Sequence, residues 1–256
     1  GMIYLKKENI DQAINYLYKA SKQNHRSALF ILGMIYYDQK QIDKAIVFFT
    51  LSSNLNYPDA QNYIGLINIE GKYLPRDSRK SIHYFSLAAA QNHLNAIYNL
   101  GIVYSERKYD VFDITKGIHY LNLAANQNNP DAALKLGFIY YEGKSVKRNI
   151  TKAIEFFTLA ADNNCIEAFY NLGNIYFHGT FITPNINKAI HYFTLASNKN
   201  DPDAQYYLAI IYMEGEYVRK DMKKSLLYFN LAAKQRNRMA QMYLADFYME
   251  GKYVKQ

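Results

Sequence analysis

Four sets of residues in this chain are of types that carry chemistry, and each sits at a telling spacing. His83, His119 and His191 fall in one column, with Glu155 filling the place between the last two. A metal site needs its ligand atoms about 2 Å from one ion. Packed helices lie ~8–10 Å apart, so equivalent positions on successive helix pairs cannot converge on one ion. The column reads as surface histidines. Cys165 would need a histidine held against it to act as a nucleophile. None is adjacent in sequence, so it reads as a semi-buried structural thiol. Lys80, Lys116, Lys152, Lys188 and Lys224 form a ladder that could meet phosphate or acidic lipid. Asp77, Asp113 and Asp221 stand three residues upstream of three of them, which favours a solvated stripe paired locally. Base recognition would need aromatic or amide readers clustered with the cations. Asn149-Ile150-Thr151 matches the glycosylation sequon, but the asparagine suits a helix N-cap. Phosphate loops, dinucleotide-binding glycines, paired zinc cysteines and serine elbows are missing from the sequence. The expectation is a non-enzyme with no catalytic residues, no cofactor and no metal.

The elements that position these residues repeat. Ala60, Ala96, Ala132, Ala168, Ala204 and Ala240 open equivalent units, each 36 residues after the last, and Ala28 precedes Ala60 by 32. Each unit reads as two helices. Helix A runs from the opening alanine through a Leu-Gly pair to a tyrosine, as in Leu136-Gly137 and Tyr140. At 100° per residue these positions fall within one arc of about 140°. The glycine permits close approach of a neighbouring helix at some cost in propensity; Ala209 and Ala245 take that place later. Helix A stops at Gly71, Gly143, Gly179, Gly215 or Gly251, where a left-handed backbone is expected. Asp77, Asp113, Asn149, Asn185 and Asp221 then suit the N-cap of helix B. Helix B carries strings such as KAIEFFTLAA from Lys152 and ends near Asn92, Asn128, Asn164 or Asn200. Pro58, Pro130 and Pro202 start the next helix A. One pair cannot bury its own apolar face, but stacked neighbours can. The fold class expected is all-α: a right-handed α-solenoid superhelix of tandem antiparallel helix pairs. About six complete repeats are expected, with partial repeats at both ends.

These residues resemble the Sel1-like repeat family, a branch of the tetratricopeptide-like superfamily. The family's frequent tryptophan in helix B is replaced here by Phe48, Tyr84, Tyr120, Phe156, Tyr192 and Tyr228, and its glycine after helix B mostly by asparagine. The first units have shorter loops, nearer the tetratricopeptide length. The resemblance implies an adaptor or scaffold. Gly1-Met2-Ile3-Tyr4 aligns with Gly33-Met34-Ile35-Tyr36, and Gly251-Lys252-Tyr253-Val254 with the loop at Gly71. Residues 1–256 are therefore expected to form a single solenoid excised from a longer array or a multidomain parent.

In tetratricopeptide-like arrays helix A lines the concave surface. The expected partner-binding residues are Asn62, Tyr98, Asn99, Phe138, Tyr170, Asn171, Asn174, Tyr206 and Ile210, which lie opposite the Ala/Leu/Tyr face. Tyrosine gives contact area plus a hydroxyl, and asparagine can bond a peptide backbone through both donor and acceptor. The alternative for many of them is packing against the adjacent repeat. The expected function is a protein–protein scaffold taking a peptide or helix along this face. A regulatory or spacer segment of a larger signalling protein, for example beside a kinase domain, is the alternative, and an enzyme comes last. The net charge of +8 is interleaved with acidic residues, so solubility explains it as well as an anionic partner does. No specific nucleic acid and no membrane insertion are expected, since no apolar run approaches the ~18–20 residues of a span. One cysteine among 256 residues favours a reducing, intracellular and cytoplasmic setting.

Overall fold

The computed structural model describes residues 10–251, so the motif at Gly1–Tyr4 and the match at Lys252–Val254 lie outside the described residues. Every described element is a helix: α1 (Ile10–Ser21), α2 (Arg26–Asp38), α3 (Ile42–Asn54), α4 (Pro58–Glu70), α5 (Ser78–Ala89), α6 (Leu94–Ser105), α7 (Ile114–Ala125), α8 (Pro130–Glu142), α9 (Ile150–Asp162), α10 (Ile166–His178), α11 (Ile186–Asn198), α12 (Pro202–Glu214), α13 (Met222–Lys234) and α14 (Arg238–Glu250). Helices α2 to α13 form six antiparallel A/B pairs. α1 is the B half of a partial repeat and α14 the A half of another. The chain is an all-α solenoid of tandem helix pairs. It divides into two compact units, one up to Gln127 and one from Asn128.

Local chemistry sets the helix ends. Asp77, Asp113, Asn149, Asn185 and Asp221 each accept a hydrogen bond from the amide three residues on, at 2.9–3.1 Å. Each satisfies one of the orphan donors of a helix B. The five glycines that close helix A have φ of +59° to +69°. A side chain would also be obstructed there: a Cβ on Gly143 would lie 2.7 Å from Arg148 Cβ. Arg148 and Arg76 fold back so that Nε donates to the carbonyls of Tyr141 and Ile69, capping helix A from the loop. After helix B the left-handed residue is asparagine at 24, 56, 92, 128, 164 and 200 and arginine at 236, whereas Lys40, with φ of +62°, follows helix A of the first pair, where later repeats place glycine.

The small residue in helix A admits a ring. Phe49, Phe85, Leu121, Phe157, Phe193 and Phe229 are all fully buried. A Cβ on Gly33, Gly65, Gly137 or Gly173 would come within 2.5 Å of the ring paired with it. Beside this core runs a second ladder. The helix-A tyrosine stacks on the aromatic one place earlier in helix B: Tyr36 on Phe48, Tyr104 on Tyr120, Tyr140 on Phe156, Tyr176 on Tyr192 and Tyr212 on Tyr228. Centroids are 5.5–6.1 Å apart and planes within 9°. The positions of the family's tryptophan are thus filled by parallel ring pairs.

Candidate functional site

The lysine ladder belongs to that stack. Lys116, Lys152, Lys188 and Lys224 set their ammonium groups 4.8–5.4 Å above the rings of Tyr104, Tyr140, Tyr176 and Tyr212. Each gains a cation–π contact while remaining exposed. Lys116 also pairs with Asp113 at 3.5 Å, the local partner its spacing implies. At Lys80 the helix-A position holds Asn68, so the ladder lapses there. The histidine column is exposed, and each imidazole meets the next tyrosine edge-on: His83 with Tyr84, His119 with Tyr120, His191 with Tyr192. Among the described residues no group of three or more His, Cys, Asp or Glu could hold a metal ion. Cys165 is half-buried at the N-cap of α10, and burial pushes its thiol up from the ordinary cysteine value. That direction removes thiolate rather than supplying it.

The helix-A positions expected to meet a partner divide sharply by burial. In the first unit Asn99 donates to Asn62 at 2.9 Å, joining α6 to α4, and Asn62 is only 5% exposed. Tyr98 and Asn99 are half-buried. In the second unit Ile210 is 8% exposed, whereas Phe138, Tyr170, Asn171, Asn174 and Tyr206 are half-buried. Tyr170 leans on Phe193 at 6.2 Å and Tyr206 on Phe229 at 6.1 Å, so both rings also pack the repeat.

One place in the second unit brings these residues together. A cavity of about 310 Å³ is lined by Asn171, Asn174, Ile175 and His178 of α10, Tyr141 and Phe157 of α8 and α9, Thr180 and Phe181 of the following loop, and Tyr207 of α12. Tyr141 meets Phe181 edge-on at 6.0 Å, and Arg148 lies 4.4 Å over the Phe181 ring. Its polar side is a chain of groups. Asn174 and Tyr207 both border Tyr170, whose ring lies 6.2 Å from that of Tyr207. The Tyr207 hydroxyl lies 3.4 Å from His178 Nε2. Burial raises both tyrosines above the ordinary phenol value, so the chain stays protonated near neutrality. Asn171 Nδ2 donates to the Glu167 carbonyl at 2.7 Å, which leaves its own oxygen on the cavity side unspent by that bond.

Sequence reasoning found Asn171 and Asn174 but missed Tyr207, His178 and Phe181. The signal was present in the flanking column of helix A. Tyr63, Tyr207 and Tyr243 each stack on the buried ring of the preceding repeat, at 5.4, 5.1 and 5.0 Å from Phe49, Phe193 and Phe229. Asn171 stands at that same place beside Phe157, and there the cavity opens.

The comparisons agree with this architecture. The Sel1 repeat model matches residues 58–93, 94–129, 130–165, 166–201, 202–237 and 238–256, and a tetratricopeptide repeat model matches 1–52, where the loops are shorter. Proteins curated for function include none that matches. A protective antigen of uropathogenic Escherichia coli with an SLR fold superposes with a TM-score of 0.82 at 24% identity, over 95% of this chain and 52% of its own. This chain therefore spans about half the length of that antigen. A Sel1 repeat protein from Oxalobacter formigenes superposes with a TM-score of 0.71 at 29% identity, over 86% of this chain and 90% of its own. No helix among the described residues is long and apolar enough to cross a membrane. The fold is one typical of protein-interaction scaffolds, and with six consecutive matches running from residue 58 to 256 the chain belongs to the Sel1 repeat family.

Proposed function

We propose that this protein is an interaction scaffold that takes a peptide or helical segment of a partner protein on its helix-A faces. The principal contact is the cavity between α8, α10 and α12. The supporting observation is the convergence there of Asn171, Asn174, Tyr207 and His178 with an aromatic wall and the exposed Phe181. Concave sites where polar groups converge beside aromatic rings are where ligands bind. Tyr170, Tyr206 and Phe138 extend the same face. In the first unit Tyr98 and Asn99 form the corresponding surface. Asn62 and Ile210 support it from below.

Affinity capture from the cell of origin, read by mass spectrometry, tests this. The bait is the full chain, compared with an Asn171→Ala, His178→Ala, Phe181→Ala triple variant whose helicity and melting are checked first. A partner held by the first and released by the second is expected. Identical captured sets would favour a spacer that sets distance between other parts of the protein.

A further inference from the structure

Charges that alternate along the sequence are sorted in space within the second unit. Its three loops from helix A to helix B lie along one edge, and Phe181 of the middle loop reaches back to Arg148 of the loop before. The first loop and the start of α9 carry Lys144, Lys147, Arg148 and Lys152; the one acid there, Glu142, is paired with Lys144 at 2.9 Å. Residues 179–188 carry Lys188 and no acid. The third loop and the start of α13 carry Arg219, Lys220, Lys223 and Lys224 against Glu214, Glu216 and Asp221. Nine cations thus stand beside four acids on this edge. On the opposite edge the first turns of α8, α10 and α12 hold Asp131, Glu167 and Asp203. The junction before α14 is the exception there, with Lys234, Arg236 and Arg238. Lys152, Lys188 and Lys224 are held exposed over their tyrosine rings. The caps before Lys152 and Lys188 are asparagines, so the carboxylate that pairs with Lys116 has no counterpart. Among the described residues none of these three ammonium groups forms an ion pair. Between the cations, two residues past the stop glycines of the second and third loops, stand Phe181 and Tyr217, 45% and 55% exposed.

We propose that this edge is a peripheral docking surface for an anionic lipid bilayer, its lysines and arginines meeting the acidic headgroups and its two exposed rings entering the interface between them. The surface is distinct from the helix-A face and shares only Phe181 with the cavity there. Each cation near an anionic leaflet is attracted to it, and the attraction sums over a cluster. Rings at headgroup level add apolar burial, and binding of this kind needs no spanning helix. An open groove of about 580 Å³ at the third loop, lined by Arg219, Lys220, Lys223 and Lys224 with Asp221 as its one acid, can seat a single headgroup. An acidic peptide would meet the cations but offers the two rings no apolar medium. A single-stranded nucleic acid needs open ring faces for its bases. Arg148 covers one face of Phe181 at 4.4 Å, and Tyr141 meets its edge. The acids at the starts of α8, α10 and α12 turn the opposite edge away from a negative surface, so the unit approaches with its basic edge leading.

The test is flotation of the full chain with phosphatidylcholine vesicles that contain or lack phosphatidylserine. The chain is expected to float with the anionic vesicles, to stay behind with the neutral ones, and to release as salt shortens the reach of its charges. Two triple variants, checked first for natural helicity and melting, separate the edge from net charge. Lys152→Gln, Lys188→Gln, Lys224→Gln is expected to weaken binding roughly a hundredfold, at about fivefold per cation. Lys199→Gln, Lys234→Gln, Arg238→Gln removes the same charge from the opposite edge and is expected to retain the affinity. Tyr217→Ala is expected to weaken binding severalfold at low and high salt alike. No flotation with anionic vesicles at low salt, or equal losses in the two triple variants, would overturn the inference. So would an unchanged affinity in Tyr217→Ala, or tighter binding to a polyglutamate peptide or a single-stranded oligonucleotide than to the vesicles. The scaffold reading stands or falls separately, on the capture experiment.

Discussion

Tyrosine carries much of the packing in this molecule, and its hydroxyl makes the fold sensitive to alkali. Tyr36 is pushed up to about 12, first by its hydrogen bond with the Tyr18 hydroxyl at 3.0 Å and then by burial. Burial moves Tyr170, Tyr206, Tyr207 and Tyr228 in the same direction. An unfolded tyrosine titrates near pH ~10. The protonated form is therefore favoured in the folded state. The stabilisation is complete below pH ~10 and is lost as pH rises through the folded value. Thermal melts followed across this range are expected to fall steeply above pH ~10, and Tyr18→Phe is expected to move the fall of the first unit to lower pH. An unchanged curve for Tyr18→Phe would remove the Tyr18–Tyr36 bond from the account.

The glycine at the centre of helix A gives a second expectation at this scale. A Cβ on Gly173 would sit 2.5 Å from the Phe193 ring, which is fully buried. Gly173→Ala is expected to lower unfolding free energy by about 1–3 kcal/mol, the cost of overpacking, as read by urea denaturation. The sequence itself shows how the conflict can be relieved, since Ala209 occupies the same place opposite Phe229 with both side chains fully buried. A cost near zero would mean that the second unit adjusts its rings freely.

At the scale of the helix, the caps were legible in the sequence and the cavity was not. Asp77 through Asp221 as N-caps, Gly71 through Gly251 as left-handed stops and the asparagines after helix B all follow from backbone needs that a residue meets within its own few neighbours. The stacking of Tyr207 on Phe193 depends on which face of helix A meets the previous pair, and a single helix's periodicity does not contain that. For the same reason Asn62 read as a ligand contact, although its oxygen is taken by Asn99 from the next repeat. The left-handed positions also expose two weak points. Lys40 adopts φ of +62° after helix A of the first pair, where later repeats use glycine, and Arg236 adopts +66° after helix B, where the other repeats use asparagine. A residue other than glycine in this region costs about 1–2 kcal/mol. Lys40→Gly and Arg236→Gly are each expected to raise the thermal midpoint, because this relief exceeds the ~0.5–1 kcal/mol of added unfolded-state entropy. A lowered midpoint in both would show that these side chains contribute contacts worth more than the strain.

The solenoid as a whole is a series of neighbour-to-neighbour joints, some made by amides. Gln91 donates to Asn56 at 2.9 Å and Gln127 to Asn92 at 3.0 Å, so the asparagine that ends one helix B also holds the next repeat. Gln235 and Gln205 make a similar bridge in the second unit. Such arrays gain stability from repeats and their interfaces in roughly additive fashion. Deleting residues 166–201, one whole period, is expected to leave a helical, cooperatively folding chain with a lower urea midpoint and a smaller denaturant slope. Loss of all cooperative structure would show that the second unit cannot be shortened. The same deletion removes the cavity, so a folded product serves as a binding control.

The walls of that cavity have an optical consequence. They are built from phenol, benzyl, imidazole and amide groups, and the chain contains 26 tyrosines, 14 phenylalanines and no tryptophan. Light at the red edge of the indole band therefore passes through this protein almost unabsorbed. A guest carrying an indole would be the one chromophore excited, and its emission would move to the blue as the ring left water. The protein is dark where such a partner is bright, so binding of any tryptophan-bearing peptide can be watched without attaching a label to the protein.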